Sequence, residues 1–150
     1  MSFFSAEGIS AGYDRHQILA DISFSLDAGT ITGILGVNGC GKTTLLKAIC
    51  GILPHAGSCT LLGHSLEALS PRKLSGLVRY IPQRSGISMD ISLMDVVLMG
   101  FNPQLGLLER PGTAMREAAE KALALVGLAG RAQENYQKLS EGQKQLCILA

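Results

Sequence analysis

Between Ile18 and Leu26 the apolar residues Ile22, Phe24 and Leu26 alternate with Asp21, Ser23 and Ser25, the two-residue period of a strand with one buried face. Phe3 to Ile9 and Thr30 to Leu35 have the same β-rich character, so three strands are predicted in the first 35 residues. Ala28-Gly29 supplies a turn before the third strand, and Gly36 to Gly41 supplies a glycine-rich loop after it. The period then changes. From Lys42 to Cys50, Leu45, Leu46 and Ile49 fall on one side of a predicted helix, which completes a strand, loop and helix unit. Gly51-Ile52-Leu53-Pro54 ends that helix, and Gly57 to Leu62 reads as a short strand closed by Gly63. Ser70, with Pro71 at the first helical position, opens a brief helix; Leu77 to Ile81 reads as a strand stopped by Pro82-Gln83.

From Ser85 to Leu139 the pattern is helical. Ser92 is placed to cap Leu93 to Met99, and Thr113 to cap a run through Leu128 with Ala118, Ala122, Leu125 and Val126 on one side and Glu117 paired to Lys121 outside. A last helix begins near Ser140 and is still running at Ala150. The strands come early and a helical insert follows, an α/β arrangement.

At 150 residues one domain is expected, and 47% apolar against 17% charged residues is a globular balance. A net charge of +1 supplies no broad basic field, so neither nucleic acid nor direct membrane insertion is expected, and every apolar run is far shorter than a bilayer span. The N-terminus lacks the basic start and long apolar stretch of a secretory signal, which predicts a cytoplasmic location. Cys40, Cys50, Cys59 and Cys147 form no C-x-x-C pair and have no ligand-like histidine spacing, so reduced thiols are expected, with neither a disulfide frame nor a zinc site. His16, His55 and His64 lie in turn-like surroundings and are expected to be solvent-exposed.

Gly36-Val37-Asn38-Gly39-Cys40-Gly41-Lys42-Thr43 fits G-x-x-x-x-G-K-[ST] between a predicted strand and a predicted helix. The glycines let backbone N–H groups wrap a phosphate while the helix start turns its positive dipole end toward the same anion. Lys42 is then a point charge for the outer phosphates, and Thr43 offers its hydroxyl to Mg²⁺. Cys40 sits beside Lys42 at a helix start, a setting that favours the thiolate, and bound ATP would shield it; as a small residue that fits, it needs no such role.

Leu139-Ser140-Glu141-Gly142-Gln143 precedes the last helix, and Ser140 with Gln143 makes an S-x-x-Q capping box that by itself requires no ligand. Taken together, Gly36 to Thr44 and Leu139 to Gln143 resemble the Walker A and signature motifs of the ATP-binding cassette (ABC) ATPases, in the order and separation of that family. Tyr13, in Ala11-Gly12-Tyr13, is similar to the family's adenine-stacking aromatic, and Gln83, in Tyr80-Ile81-Pro82-Gln83, to its Q-loop glutamine. Gly100 to Pro111 resembles the helical region of importers of iron chelates and cobalamin, although its glycines and prolines would break helices in any case.

The resemblance implies a P-loop NTPase fold: a RecA-like core with an N-terminal antiparallel β subdomain and a helical insert. The core would comprise residues 1–84 and 139–150, and the helical subdomain residues 85–138. It also implies that Tyr13, Gly36, Asn38, Gly39, Cys40, Gly41, Lys42, Thr43 and Thr44 bind ATP, and that Thr43 and Gln83 serve Mg²⁺. Ser140, Gly142 and Gln143 would reach the ATP of a second ATP-binding subunit in a head-to-tail dimer, and membrane-spanning subunits would hold the pair at the inner face of the cell membrane. Glu141 stands where the family most often has glycine, a carboxylate near phosphate. The family's four apolar residues followed by Asp and Glu, and its switch histidine, have no match here, so the chain is expected to be C-terminally incomplete and unable to hydrolyse ATP alone. A soluble cassette ATPase of translation or DNA repair, or a non-catalytic nucleotide-binding fragment, would share Tyr13, Lys42 and the signature.

Overall fold

The computed structural model describes residues 2–14, 16–83, 86–106 and 108–150. The chain divides into two compact units, Met1–Tyr80 and Ile81–Ala150. No helix among the described residues is long and apolar enough to cross a membrane.

The first unit is built on a sheet of β1 (Phe4–Tyr13), β2 (His16–Leu26), β3 (His55–Leu61) and β4 (His64–Ser65), in the order β2-β1-β3-β4 with every pair antiparallel. β1 is the longer-range organiser, paired on both edges. Its register slips against β2 between Ala6 and Ile9 and again before Ala11, as bulges do. Two serines take up donors along that stretch: the Gly8 N–H donates to Ser23 Oγ at 2.9 Å and the Asp21 N–H to Ser10 Oγ at 2.9 Å. Alternation buries Phe4, Ala6, Ile9 and Ala11 on one face, where Leu19, Cys59, Leu66 and Ala48 of helix α1 (Lys42–Ile49) complete the core. Phe4 and Phe24 meet with ring centroids 5.9 Å apart.

The expected strand at 30–35 is not formed. No described strand pairs with it, Ile31 and Leu35 stand free in solvent at 103% and 94% exposure, and an unpaired β-rich run has no ladder to hold it extended. The expected strand at 77–81 is likewise absent: α2 (Pro71–Leu77), capped by Ser70 Oγ accepting from the Lys73 N–H, consumes its start, and no strand adjoins the rest. Helix α1 buries Thr44 and Ala48, with Leu45 and Ile49 at the margin and Leu46 facing outward, a rotation of the expected apolar side. His16 and His64 are exposed as expected, whereas His55 is half-buried, with Nδ1 3.4 Å from the Leu53 carbonyl and Nε2 3.3 Å from Glu67 Oε1. Burial and then the nearby Glu67 carboxylate push the Cys59 thiol up to about 11.

The second unit is helical: α3 (Leu93–Leu98), a 3₁₀ turn at Met99–Gln104, α4 (Thr113–Leu125) and α5 (Glu141–Leu149). Ser92 caps α3 as expected, its Oγ accepting from the Asp95 N–H at 3.1 Å. Thr113 does not cap α4; Gly112 holds the cap position and Thr113 is already helical. The buried side of α4 is Ala119 and Leu123, flanked by Met115, Ala122 and Val126, and Leu125 points to solvent at 89% exposure. That stripe at spacings of three and four packs on Leu93, Val97 and Tyr136 in one cluster, which also takes Cys147 of α5. α5 lies in this second unit and packs on α3. Burial pushes the Cys147 thiol up to about 11, as befits a packing residue.

Tyr136 is fully buried in this cluster, yet its hydroxyl has no hydrogen-bond partner. A buried donor without a partner carries its desolvation cost uncompensated, so Tyr136→Phe is expected to raise stability by about 1 kcal/mol. Urea unfolding followed by circular dichroism measures it; a midpoint lowered by the substitution would show that the hydroxyl is satisfied in solution.

Candidate functional site

Residues 36–41 run from the exposed, unpaired stretch into the first turn of α1. Gly41 is the N-cap of that helix at φ 96°, and Gly39 has φ 82°, conformations that favour glycine. A Cβ at Gly36 would lie 2.7 Å from Cys40 Sγ, so the exposed thiol would have to turn aside. The Lys42 ammonium folds back over the loop, donating to the carbonyls of Gly36 at 2.7 Å and Val37 at 2.8 Å, with Cys40 Sγ at 3.8 Å. One amine therefore sits at the centre of a tight turn of main-chain groups. Thr43 is exposed beside it, and Thr44 is buried under the helix start. Asn38 and Cys40 are exposed on the loop.

This arrangement fits a polyphosphate. A helix start offers N–H donors to an anion, and the Lys42 ammonium beside it is positive. No carboxylate lies in the first turn of α1 to oppose an anion.

Tyr13 ends β1 with its ring 40% exposed, and Lys47 of α1 places Nζ 5.9 Å from the ring centroid. The structure thus joins Tyr13 to the helix that carries Lys42 and Thr43, through a cation–π contact that neither residue's sequence neighbourhood announces.

In the second unit, Ser140 caps α5 with the full reciprocal box: Ser140 Oγ accepts from the Gln143 N–H at 3.3 Å, and Gln143 Oε1 accepts from the Ser140 N–H at 3.2 Å. Gly142 is exposed with open space where a Cβ would be. Glu141 is turned onto Lys144, Nζ to Oε1 at 2.9 Å, so its charge is balanced on its own helix. Gln145 of α5 donates through Nε2 to the Gln83 carbonyl at 2.7 Å, leaving the Gln83 side chain exposed beside the signature helix. Lys144 and Gln145 are the residues that sequence reasoning missed; only the three-residue spacing of Glu141 and Lys144 hinted at the pair. Beyond Gln83, Arg84 and Ser85 lie outside the described residues, as does Leu107 in the Gly100 to Pro111 segment.

Comparison with known proteins gives one consistent picture. The family described as ABC transporter matches residues 19–150. The chain is 37% identical over 147 residues to the manganese transport system ATP-binding protein MntB of Bacillus subtilis, covering 96% of this chain and 57% of that protein. It is 38% identical over 143 residues to the hemin import ATP-binding protein HmuV of Rhizobium leguminosarum, covering 95% of this chain and 53% of the relative. Among solved structures, a nucleotide-free ATP-binding cassette from an ABC transporter superposes with a TM-score of 0.84 at 25% identity, over 99% of this chain and 63% of that one. The fold is that of the P-loop NTPase domain of these ATPases, and the chain spans about half the length of the curated relatives it matches.

Proposed function

The chain belongs to the ABC transporter family, and from that premise we propose that it forms the nucleotide-binding part of an importer's ATPase subunit, with a metal ion or metal complex as cargo. The observation that carries this reading is the glycine loop wrapped around the Lys42 ammonium at the start of α1. Lys42 takes the outer phosphates of ATP, the loop N–H groups take the inner ones, and the Thr43 hydroxyl holds Mg²⁺. Bound there, the metal would supply positive charge to offset the negative charge that grows in transfer. Tyr13 offers its ring to adenine, with Lys47 on the ring as a cationic neighbour.

Ser140, Gly142 and Gln143 present a capped helix start to the γ-phosphate held by a second ATP-binding subunit, in a head-to-tail pair. Glu141 does not oppose this, since Lys144 holds its carboxylate. Gln83, tethered by its main chain to α5, senses Mg²⁺ or the attacking water. The surface from Gln83 to Asp95 meets the membrane-spanning subunits, which keep the ATPase at the inner face of the membrane. The names of the manganese and hemin relatives support the cargo class; iron chelates and cobalamin are narrower members of it.

Alkylation of the exposed Cys40 in the full-length subunit tests the reading. At ATP near ten times its dissociation constant, mass action predicts about tenfold slower labelling. Equal rates with and without nucleotide remove the phosphate site, and a nucleotide-protected subunit that never co-purifies with a membrane-spanning partner removes the importer.

A further inference from the structure

Outside the phosphate loop, three different side chains converge at the β3–β4 edge of the sheet. His55 and Cys59 lie on β3 four residues apart, on one face, and Glu67 reaches them from just beyond β4. One ligand atom from each, the imidazole nitrogen, the thiol sulfur and a carboxylate oxygen, falls within 4.8 Å of the other two. Tetrahedral coordination at bond lengths of about 2.0–2.3 Å needs ligand atoms about 3.3–3.8 Å apart, a closure of roughly 1 Å from this arrangement. They face a cavity of about 210 Å³ beneath Leu69, Pro71 and Leu74.

Two features set this cluster apart from ordinary surface polarity. His55 presents both ring nitrogens to acceptors: Nδ1 to the Leu53 carbonyl and Nε2 to Glu67 Oε1. A carbonyl only accepts, so Nδ1 donates to Leu53, and Nε2 faces the Glu67 carboxylate across 3.3 Å. A proton or a metal cation can bridge that gap, and a main-chain carbonyl on Nδ1–H is the outer contact that ordinarily fixes a ligating histidine. Glu67 is equally well placed, Oε1 accepting from the Cys59 N–H at 2.6 Å and Oε2 from Ser65 Oγ at 2.8 Å. The carboxylate is thus immobilised on the strand that carries the other two groups.

We propose that His55, Cys59 and Glu67 form a binding site for a divalent transition metal of the zinc class, separate from the Mg²⁺ of nucleotide binding. One nitrogen, one sulfur and one oxygen suit a borderline cation and disfavour Mg²⁺ or Ca²⁺, which take oxygen donors. Three protein ligands leave a fourth position open, so the ion is exchangeable.

Cobalt(II) titration of the full chain under reducing conditions tests this. One equivalent is expected to bind with a near-ultraviolet thiolate-to-cobalt charge-transfer band, which zinc(II) then bleaches by displacement. Cys59→Ser abolishes the band, and Cys40→Ser, which removes the exposed thiol, retains it. His55→Gln, at a largely buried ring, and Glu67→Gln, at a partly exposed carboxylate, each weaken zinc binding by about tenfold or more in competition with a chromophoric chelator, with an unchanged circular dichroism spectrum. The pair keeps the test decisive if Cys59→Ser unfolds. No band at one equivalent, a band lost in Cys40→Ser, or unaltered zinc affinity in both glutamine variants overturns the site.

Discussion

Lys42→Ala is expected to lower MgATP affinity by about two to three orders of magnitude while leaving the fold intact. The ammonium makes two short hydrogen bonds inside the loop and has no carboxylate partner there. On the nucleotide it would exchange neutral carbonyls for charged phosphate oxygens. Hydrogen bonds to charged groups are worth about 1.5–3 kcal/mol each, so losing two, less the two neutral bonds given up, removes about 3–4 kcal/mol of binding. The loop itself is exposed, so water replaces the amine at Gly36 and Val37 and stability changes by about 0.5 kcal/mol at most. A fluorescent ATP analogue titrated against both proteins separates the two effects. An affinity within twofold of the parent would mean that the amine is a brace for the loop and not a phosphate ligand.

The site was readable where its chemistry is contiguous. The phosphate loop and the Ser140 box each lie within eight residues, and the torsions and caps they require are properties of those residues alone. Ser70 and Ser92 were legible for the same reason. What failed depended on partners. Residues 30–35 have strand composition, but a strand exists only when another pairs with it, and none among the described residues does. α4 is rich in alanine and leucine all round, so its sequence admits several apolar sides; packing on Leu93 and Tyr136 selects Ala119 and Leu123 and leaves Leu125 outside. The His55, Cys59 and Glu67 cluster was invisible because the third member arrives only through the β3–β4 hairpin, whose register pairs Thr60 with Ser65 and Leu61 with His64. Cysteine and histidine spacing along one strand, with Glu67 eight residues on, matches no linear metal motif.

Gly57→Ala tests how firmly that hairpin is anchored, and a loss of about 3–5 kcal/mol is expected. Gly57 lies where the β1–β3 register slips between Glu7 and Ser10, so Gly8 and Ile9 stand opposite this one residue. Its φ is 91°, and a Cβ there would collide with the carbonyl oxygen of Glu7 and the carbonyl group of Gly8. These are main-chain atoms of β1, which is held on both edges and cannot recede. The backbone term alone is about 1–2 kcal/mol, and the collision adds the remainder by forcing the ladder apart. Gly63→Ala supplies the contrast, because Gly63 has φ 79° but open space around the added methyl. Only the backbone term applies there. Unfolding free energies from urea titration of the two variants should therefore differ by about 2–3 kcal/mol, a large share of the stability of a small domain. Equal midpoints would mean that β1 yields at the bulge, and a sheet that yields there could not hold Cys59 and Glu67 in the register their convergence requires.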